Sequence, residues 1–298
     1  MAVLWNFSIR KVVAIVLPNM GYGRYSTILG FGVCRETSDP KIVKIRQICR
    51  SSDIESITCI PWQVEVFTLS AGTWRSPYNN LPRKSIEFSY SHVGLDGFIY
   101  WLAVDRIVMD YDDESMSYNL IISFDLTNEE FRDVNLPDNL AHESYLNLYM
   151  SKLSESLVVL ESTLEADNPT FTIWIMENGV SKSFTKLFTI YNVPHGGVVS
   201  VLEFRKCGEP VIEVIEEEYG GSDEPVLESE IVEHHRGTSC YSSLIVYKPY
   251  SKHMNNIGIN GITRSFEGYS YKETLLLLDQ PDYSIYDNGK CYNSNVRV

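Results

Sequence analysis

The chain has 298 residues, 44% of them hydrophobic, which is enough to bury a substantial core. Its 39 acidic against 25 basic side chains leave a formal charge of -14, which argues against nucleic acid as the main partner, because phosphate binding needs a basic surface. Six cysteines without C-x-x-C spacing offer neither a disulfide framework nor a zinc cage, and they point to a reducing cytoplasmic or nuclear setting.

In chain order, Ala2 to Asn6 and Lys11 to Leu17 read as a first hairpin, and the apolar run Val12 to Leu17 is too short to cross a membrane. Only this pair is present where a propeller blade needs about four strands, so the chain is expected to begin in mid-blade. Gly21-x-Gly23 lacks a third glycine and a following helix, so no phosphate cradle and no cofactor is expected there. Ile28 to Val33 and Lys41 to Ile45 follow as strands around a turn at Glu36 to Pro40. Val64 to Phe67 and Thr73 to Ser76 form the next hairpin, and Asp96-Gly97 marks a tight turn before the aromatic strand Phe98 to Ala103. Residues 105–114 are acidic and read as an exposed loop.

The stretch from Ile121 to Pro137 organises the rest. Ile122, Phe124 and Leu126 alternate with Ser123 and Asp125, and Thr127 to Glu130 is a polar turn before Phe131. Phe67 to Arg75 matches Phe124 to Arg132 position by position. Looser copies start at Trp5, Trp174 and Tyr247, so the anchors recur every 50–70 residues or so, near the length of a kelch-like blade with insertions. Such a hairpin cannot bury both faces alone and must stack on its neighbours. The fold expected is all-β, a kelch-like β-propeller of repeated antiparallel hairpins, incomplete at the N-terminus.

Further strands are expected at Leu157 to Leu160, Phe171 to Ile175, Thr185 to Ile190, Val198 to Phe204, Pro210 to Ile215 and Tyr271 to Leu278. Residues 216–233 are acidic and rich in Gly and Ser, the composition of a mobile loop. One interaction domain over 1–279 and a disordered tail over 280–298 complete the expectation.

Constellations for chemistry are sparse. Asp105, Asp110, Asp112, Asp113 and Glu114 hold the carboxylates that glycoside cleavage needs, but such density in a polar loop is ordinary for a solvated turn. His234, His235 and Cys240 lack a fourth ligand at suitable spacing, so no metal is expected. Trp62, Trp74, Trp101 and Trp174 could stack on sugars, yet their blade-related spacing favours packing. A catalytic role is not expected; the alternative is a propeller-fold glycoside hydrolase or carbohydrate-binding protein.

Six motifs in collinear order carry a resemblance. Leu4-Trp5-Asn6-Phe7-Ser8-Ile9-Arg10-Lys11 resembles the "WNPSTRK" signature of the plant F-box-associated domain, with Phe7 where proline is usual. Leu29-Gly30-Phe31-Gly32-Val33 with Asp39 to Ile45, Val66 to Arg75, and Leu95 to Ala103 resemble its next segments. Ile122 to Pro137 and Trp174 to Phe188 resemble the remaining two, so the likeness covers nearly the whole chain.

The resemblance implies a non-catalytic module that holds the target of a cullin-RING ubiquitin ligase. In that family an N-terminal helical F-box docks on a Skp-type adaptor. No such segment is read in this sequence, so adaptor docking is expected only with an F-box upstream. The target protein is not named by the sequence. The loops expected to meet it are those of Asp105, Asp110, Asp112, Asp113 and Glu114, and of Glu216, Glu217 and Glu218. Their charge suits a basic patch on the partner.

Overall fold

The computed structural model describes residues 1–18, 25–48, 63–77, 85–105, 118–165, 168–177, 182–191, 198–215, 241–266, 268, 273–281, 283–287 and 289–293. These residues form five four-stranded sheets in two compact units, residues 1–145 with 271–298 and residues 146–270.

Unit one holds three sheets. β1 (Ala2–Asn6) and β2 (Lys11–Ile15) open the first. β3 (Tyr25–Val33), β4 (Pro40–Ile48), β5 (Gln63–Thr68) and β6 (Thr73–Arg75) form the second as an antiparallel meander. β7 (Ile86–Leu95), β8 (Phe98–Asp105), β9 (Tyr118–Asp125) and β10 (Glu130–Asn135) repeat that meander in the third. A short helix, α1 (Asp138–Ala141), follows, and Asn119 in β9 holds its end by donating to the Leu140 and Glu143 carbonyls at 3.0 and 2.7 Å.

Unit two holds two sheets. β11 (Leu148–Leu153), β12 (Ser156–Glu165), β13 (Asn168–Met176) and β14 (Phe184–Ile190) form one. β15 (Val198–Phe204), β16 (Pro210–Ile215), β17 (Tyr241–Lys248) and β18 (His253–Ile262) form the other. Their shared core includes Leu160, Ile173, Ile212 and Tyr247. Glu213, almost fully buried, accepts from Ser200 Oγ, Ser242 Oγ and the Arg264 amide, so its charge is satisfied within the sheet.

The repeat seen in the sequence is a register in space. Trp5 faces Val12, Phe67 faces Trp74, Phe124 faces Phe131 and Tyr247 faces Met254, each anchor paired with its partner across the hairpin. The Phe67–Trp74 and Phe124–Phe131 rings lie 5.4 and 4.7 Å apart. At the remaining copy Met176 faces Phe184, and a bulge beside Trp174 takes up an extra residue. Trp5 departs from the other anchors in exposure, at 58% against 2% or less for Phe67, Phe124 and Tyr247.

Two expectations fail at the C-terminal end. The stretch 280–298, expected to be a disordered tail, contains β19 (Ser284–Asp287) and β20 (Lys290–Asn293). β19 runs parallel to β2 and antiparallel to β20, which gives the first sheet its third and fourth strands. The cause is the free edge of β2, whose backbone groups need partners once Val13 and Ile15 are buried. The N-terminal pair is indeed half a sheet, and its other half comes from the distant end of the chain. Of Tyr271 to Leu278, expected to be a strand, residues 273–278 are described and form none; tight turns run over 276–279, with Leu278 N bonded to Leu275 O and Gln280 N to Leu277 O. Leu277 sits there at φ +73°.

Adjacent sheets of unit one pack face to face. Val13 and Ile15 meet Ile42, Phe67 and Leu69. Val43, Ile45 and Val66 meet Ile99, Trp101, Ile122 and Phe124. The second contact explains the glycine pair of β3. A Cβ on Gly30 would lie 2.2 Å from the Trp101 ring and one on Gly32 would lie 2.6 Å from Leu126. Gly30→Ala is therefore expected to destabilise by ~1–3 kcal/mol through overpacking, read as a lower urea midpoint. An unchanged midpoint would mean that Trp101 is free to shift.

Candidate partner-binding site

The hairpin turns of the second and third sheets gather at one end of unit one. The turn after β3 carries Arg35, paired at 3.1 Å with Asp96 of the β7–β8 turn. Leu126 N donates to Gly97 O at 3.0 Å, and Leu69 N donates to Pro40 O at 3.0 Å. Under them lies an ionic cluster, buried at Lys41 and Glu129 and half-exposed at Arg75: Lys41 Nζ donates to Leu126 O at 2.6 Å and to Glu129 Oε1 at 2.8 Å, and Arg75 also binds Glu129. Glu129 adopts φ +59°, a backbone conformation that only a well-determined turn sustains. Neighbouring sheets cover both faces of β4, so its lysines are interior: Lys41 is 8% exposed and Lys44 1%. Lys44 is neutralised by Glu65 and the Pro18 carbonyl.

Asp125 locks the β9–β10 turn. Burial alone would raise its carboxyl, but donation from the Asn128 side chain and from the Thr127 and Asn128 amides holds it below the usual carboxylate range. Burial, with the Asp96 and Asp125 carboxylates, pushes the Tyr100 phenol up to about 12. At Cys34, burial is outweighed by hydrogen bonds from Thr37 and Thr127, and the thiol is lowered to about 7.

His92 ties β7 to β3: Phe31 N donates to its Nε2 at 3.1 Å, which requires a neutral acceptor. Burial accordingly lowers its pKa below the ordinary 6.5. Above that value neither the folded nor the unfolded histidine is charged. As pH falls below it, the unfolded chain takes up a proton that the folded chain refuses, so stability declines. The unfolding midpoint is expected to drop between pH 7.5 and 5.5 by more in the parent than in His92→Gln. Equal drops would show that the histidine contributes nothing.

Beside the turns runs a strap, Thr274 to Gln280. Asn6 Nδ2 donates to Thr274 O at 3.0 Å and Leu276 O at 2.7 Å, and Lys11 Nζ donates to Gln280 O at 2.9 Å. The left-handed Leu277 turns into the core and packs with Val13, Ile42 and Leu69. Leu275 and Leu278 remain 69% and 51% exposed. Strap and turns enclose an open cleft of about 640 Å³ whose opposite wall includes Asp39, Pro40, Leu69 and Ser70. Asp39 is held in place by accepting from Ser70 N at 3.1 Å and from its hydroxyl.

Of the acidic residues expected to meet a partner, Asp105 lies at the end of β8 opposite Ile86 and Tyr118, only 2% exposed. The expectation of an exposed loop starting at Asp105 is thus corrected: the strand and its burial extend through that residue. Asp110, Asp112, Asp113, Glu114, Glu216, Glu217 and Glu218 lie outside the described residues, as do Trp62, His234, His235 and Cys240. Trp101 is fully buried with Nε1 directed to Leu29 O, while Trp74 and Trp174 donate to Val16 O and Glu161. No group of three or more metal-binding side chains occurs among the described residues, and no described helix is long and apolar enough to cross a membrane. Asp39, Leu275, Leu278 and Asp279 were missed in the sequence: Asp39-Pro40 reads only as a turn, and the leucine run reads as a strand.

Four-stranded sheets packed face to face, each built on a repeated hairpin, define a kelch-like β-propeller organisation. Residues 1–214 match the model of the F-box associated beta propeller domain, and the chain belongs to that family. Over 191 residues it is 27% identical to the F-box protein CPR1 of Arabidopsis thaliana, covering 59% of this chain and 43% of that protein. It is 28% identical over 151 residues to the F-box protein At1g52495 of the same plant, covering 48% and 33%. The chain thus spans less than half the length of these curated relatives. Among solved structures it resembles a family 117 glycoside hydrolase of the marine bacterium Zobellia galactanivorans (TM-score 0.42, 7% identity, 84% of this chain and 73% of that one). A Bombyx mori GH32 beta-fructofuranosidase gives a TM-score of 0.38 at 10% identity, covering 79% and 49%.

Proposed function

We infer that this chain is a protein-interaction module, the target-holding domain of an F-box type ubiquitin-ligase receptor. The observation that carries this reading is the end of unit one, where turns pinned by the Lys41–Glu129–Arg75 cluster stand beside a strap with exposed leucines. A rigid scaffold that displays variable turns is suited to recognition. Sugar chemistry at the 105–114 carboxylates gains no support from Asp105, whose side chain is closed off from solvent.

Docking on a Skp-type adaptor belongs, in this reading, to residues outside this chain. The family's docking element is helical, and among the described residues the α-helix is Asp138–Ala141, with one 3-10 turn after it. Two measurements test the proposal. Cross-linking of the tagged chain in plant extract should yield a discrete protein partner, and the purified chain should fail to co-precipitate the adaptor. Stoichiometric adaptor binding would relocate the docking element into this chain; absence of any captured protein would remove the interaction reading.

A further inference from the structure

We propose that the cleft between the strap and the turns is a peptide-docking site, and that its occupant is an extended partner segment with a leucine-sized side chain flanked by lysine or arginine. This rests on the interaction-module reading and adds to it a place and a chemistry.

Three observations converge. The first is exposed apolar surface that the fold itself produces. Leu277 is turned inward at φ +73° and anchors the strap in the core. Its neighbours Leu275 and Leu278 are thereby left in water on the cleft wall, where nothing among the described residues of unit one compensates their exposure.

The second is rigidity. Asn6 grips the strap at two carbonyls and Lys11 at a third, while Asp39 and Ser70 fix the opposing turn. A partner therefore meets walls already in position and loses less entropy on binding. At about 640 Å³ the opening is large enough for a few residues of extended chain and lies within the range of ordinary ligand sites.

The third is charge. The lining contains the carboxylates of Asp39 and Asp279, and no lysine or arginine lines it among the described residues. Lys11, the nearby cation, is occupied by the Gln280 carbonyl at 2.9 Å. Two carboxylates beside an apolar floor of Val33, Leu69 and Leu277 select a basic segment and repel an acidic one.

The test is fluorescence anisotropy of the purified full chain with a short labelled peptide of alternating lysine and leucine. Peptides of lysine with serine, and of glutamate with leucine, are the comparisons. The lysine–leucine peptide should bind, with both comparisons about tenfold weaker or more. The pair Leu275→Ser with Leu278→Ser, and separately Asp279→Lys, should each weaken binding about tenfold. Glu155→Lys, an exposed charge reversal in unit two, should leave it within about twofold.

Absence of lysine–leucine binding would overturn the proposal. So would an unchanged affinity in the leucine pair, or a loss in Glu155→Lys equal to that in Asp279→Lys, which would reveal diffuse attraction to an acidic protein. Thermal midpoints identify any variant that fails to fold. Hydrogen exchange of the parent supplies the independent reading: peptide should protect the amides of 37–39 and 274–280, and protection elsewhere alone would defeat the assignment. A cross-linked partner retained by the leucine pair leaves the interaction module standing and removes only the cleft.

Discussion

Phe124→Ala is expected to cost ~3–5 kcal/mol and to leave the chain barely able to fold cooperatively. Phe124 is fully buried, lies 4.7 Å from Phe131 across the hairpin, and shares a core with Trp101, Ile99 and Val43. Truncation removes apolar area and leaves a void on the packed face between two sheets, where strands in register have little freedom to collapse. Urea unfolding followed by tryptophan fluorescence measures the loss, since Trp101 stands in the same cluster. Unchanged stability would show that the repeated anchor is not a structural position after all.

Glu129→Ala should be nearly as damaging, by ~3–5 kcal/mol, for a different reason. The side chain receives both Lys41 and Arg75, and Lys41 is 8% exposed. Without the carboxylate, the Lys41 ammonium retains only the Leu126 carbonyl among the described residues and stays buried with no described counter-charge. The double replacement Lys41→Met with Glu129→Leu should recover much of the loss, because an apolar pair needs no compensation. A double variant as unstable as the sum of its parts would show that the cluster matters for the turn's shape rather than for its charge.

Much of the fold was legible because a hairpin's register is written locally. The step from Phe67 to Trp74 and from Phe124 to Phe131 sets which side chains face each other, and the structure pairs them so. The Asp96-Gly97 turn was readable for the same reason: Asp96 at φ +46° and Gly97 at +79° need residues that tolerate the left-handed region. The candidate site was barely legible. Conspicuous acidic runs drew attention, yet Asp105 is buried, and the cleft joins Asp39 to Leu275 and Asp279 from the far end of the chain.

The sequence by itself determined the all-β class, the hairpin repeat and the aromatic anchors, since each depends on neighbours within about ten residues. Tertiary structure alone decided which surfaces those hairpins bury. Lys41 and Lys44 became interior because sheets cover both faces of β4, and Trp5 stayed exposed although its repeat partners Phe67, Phe124 and Tyr247 are core. Residues 284–287 and 290–293, too polar to announce strands, became strands because the edge of β2 offered unpaired backbone groups. Backbone hydrogen bonding accepts almost any side chain, so long-range edge pairing leaves little trace in local composition.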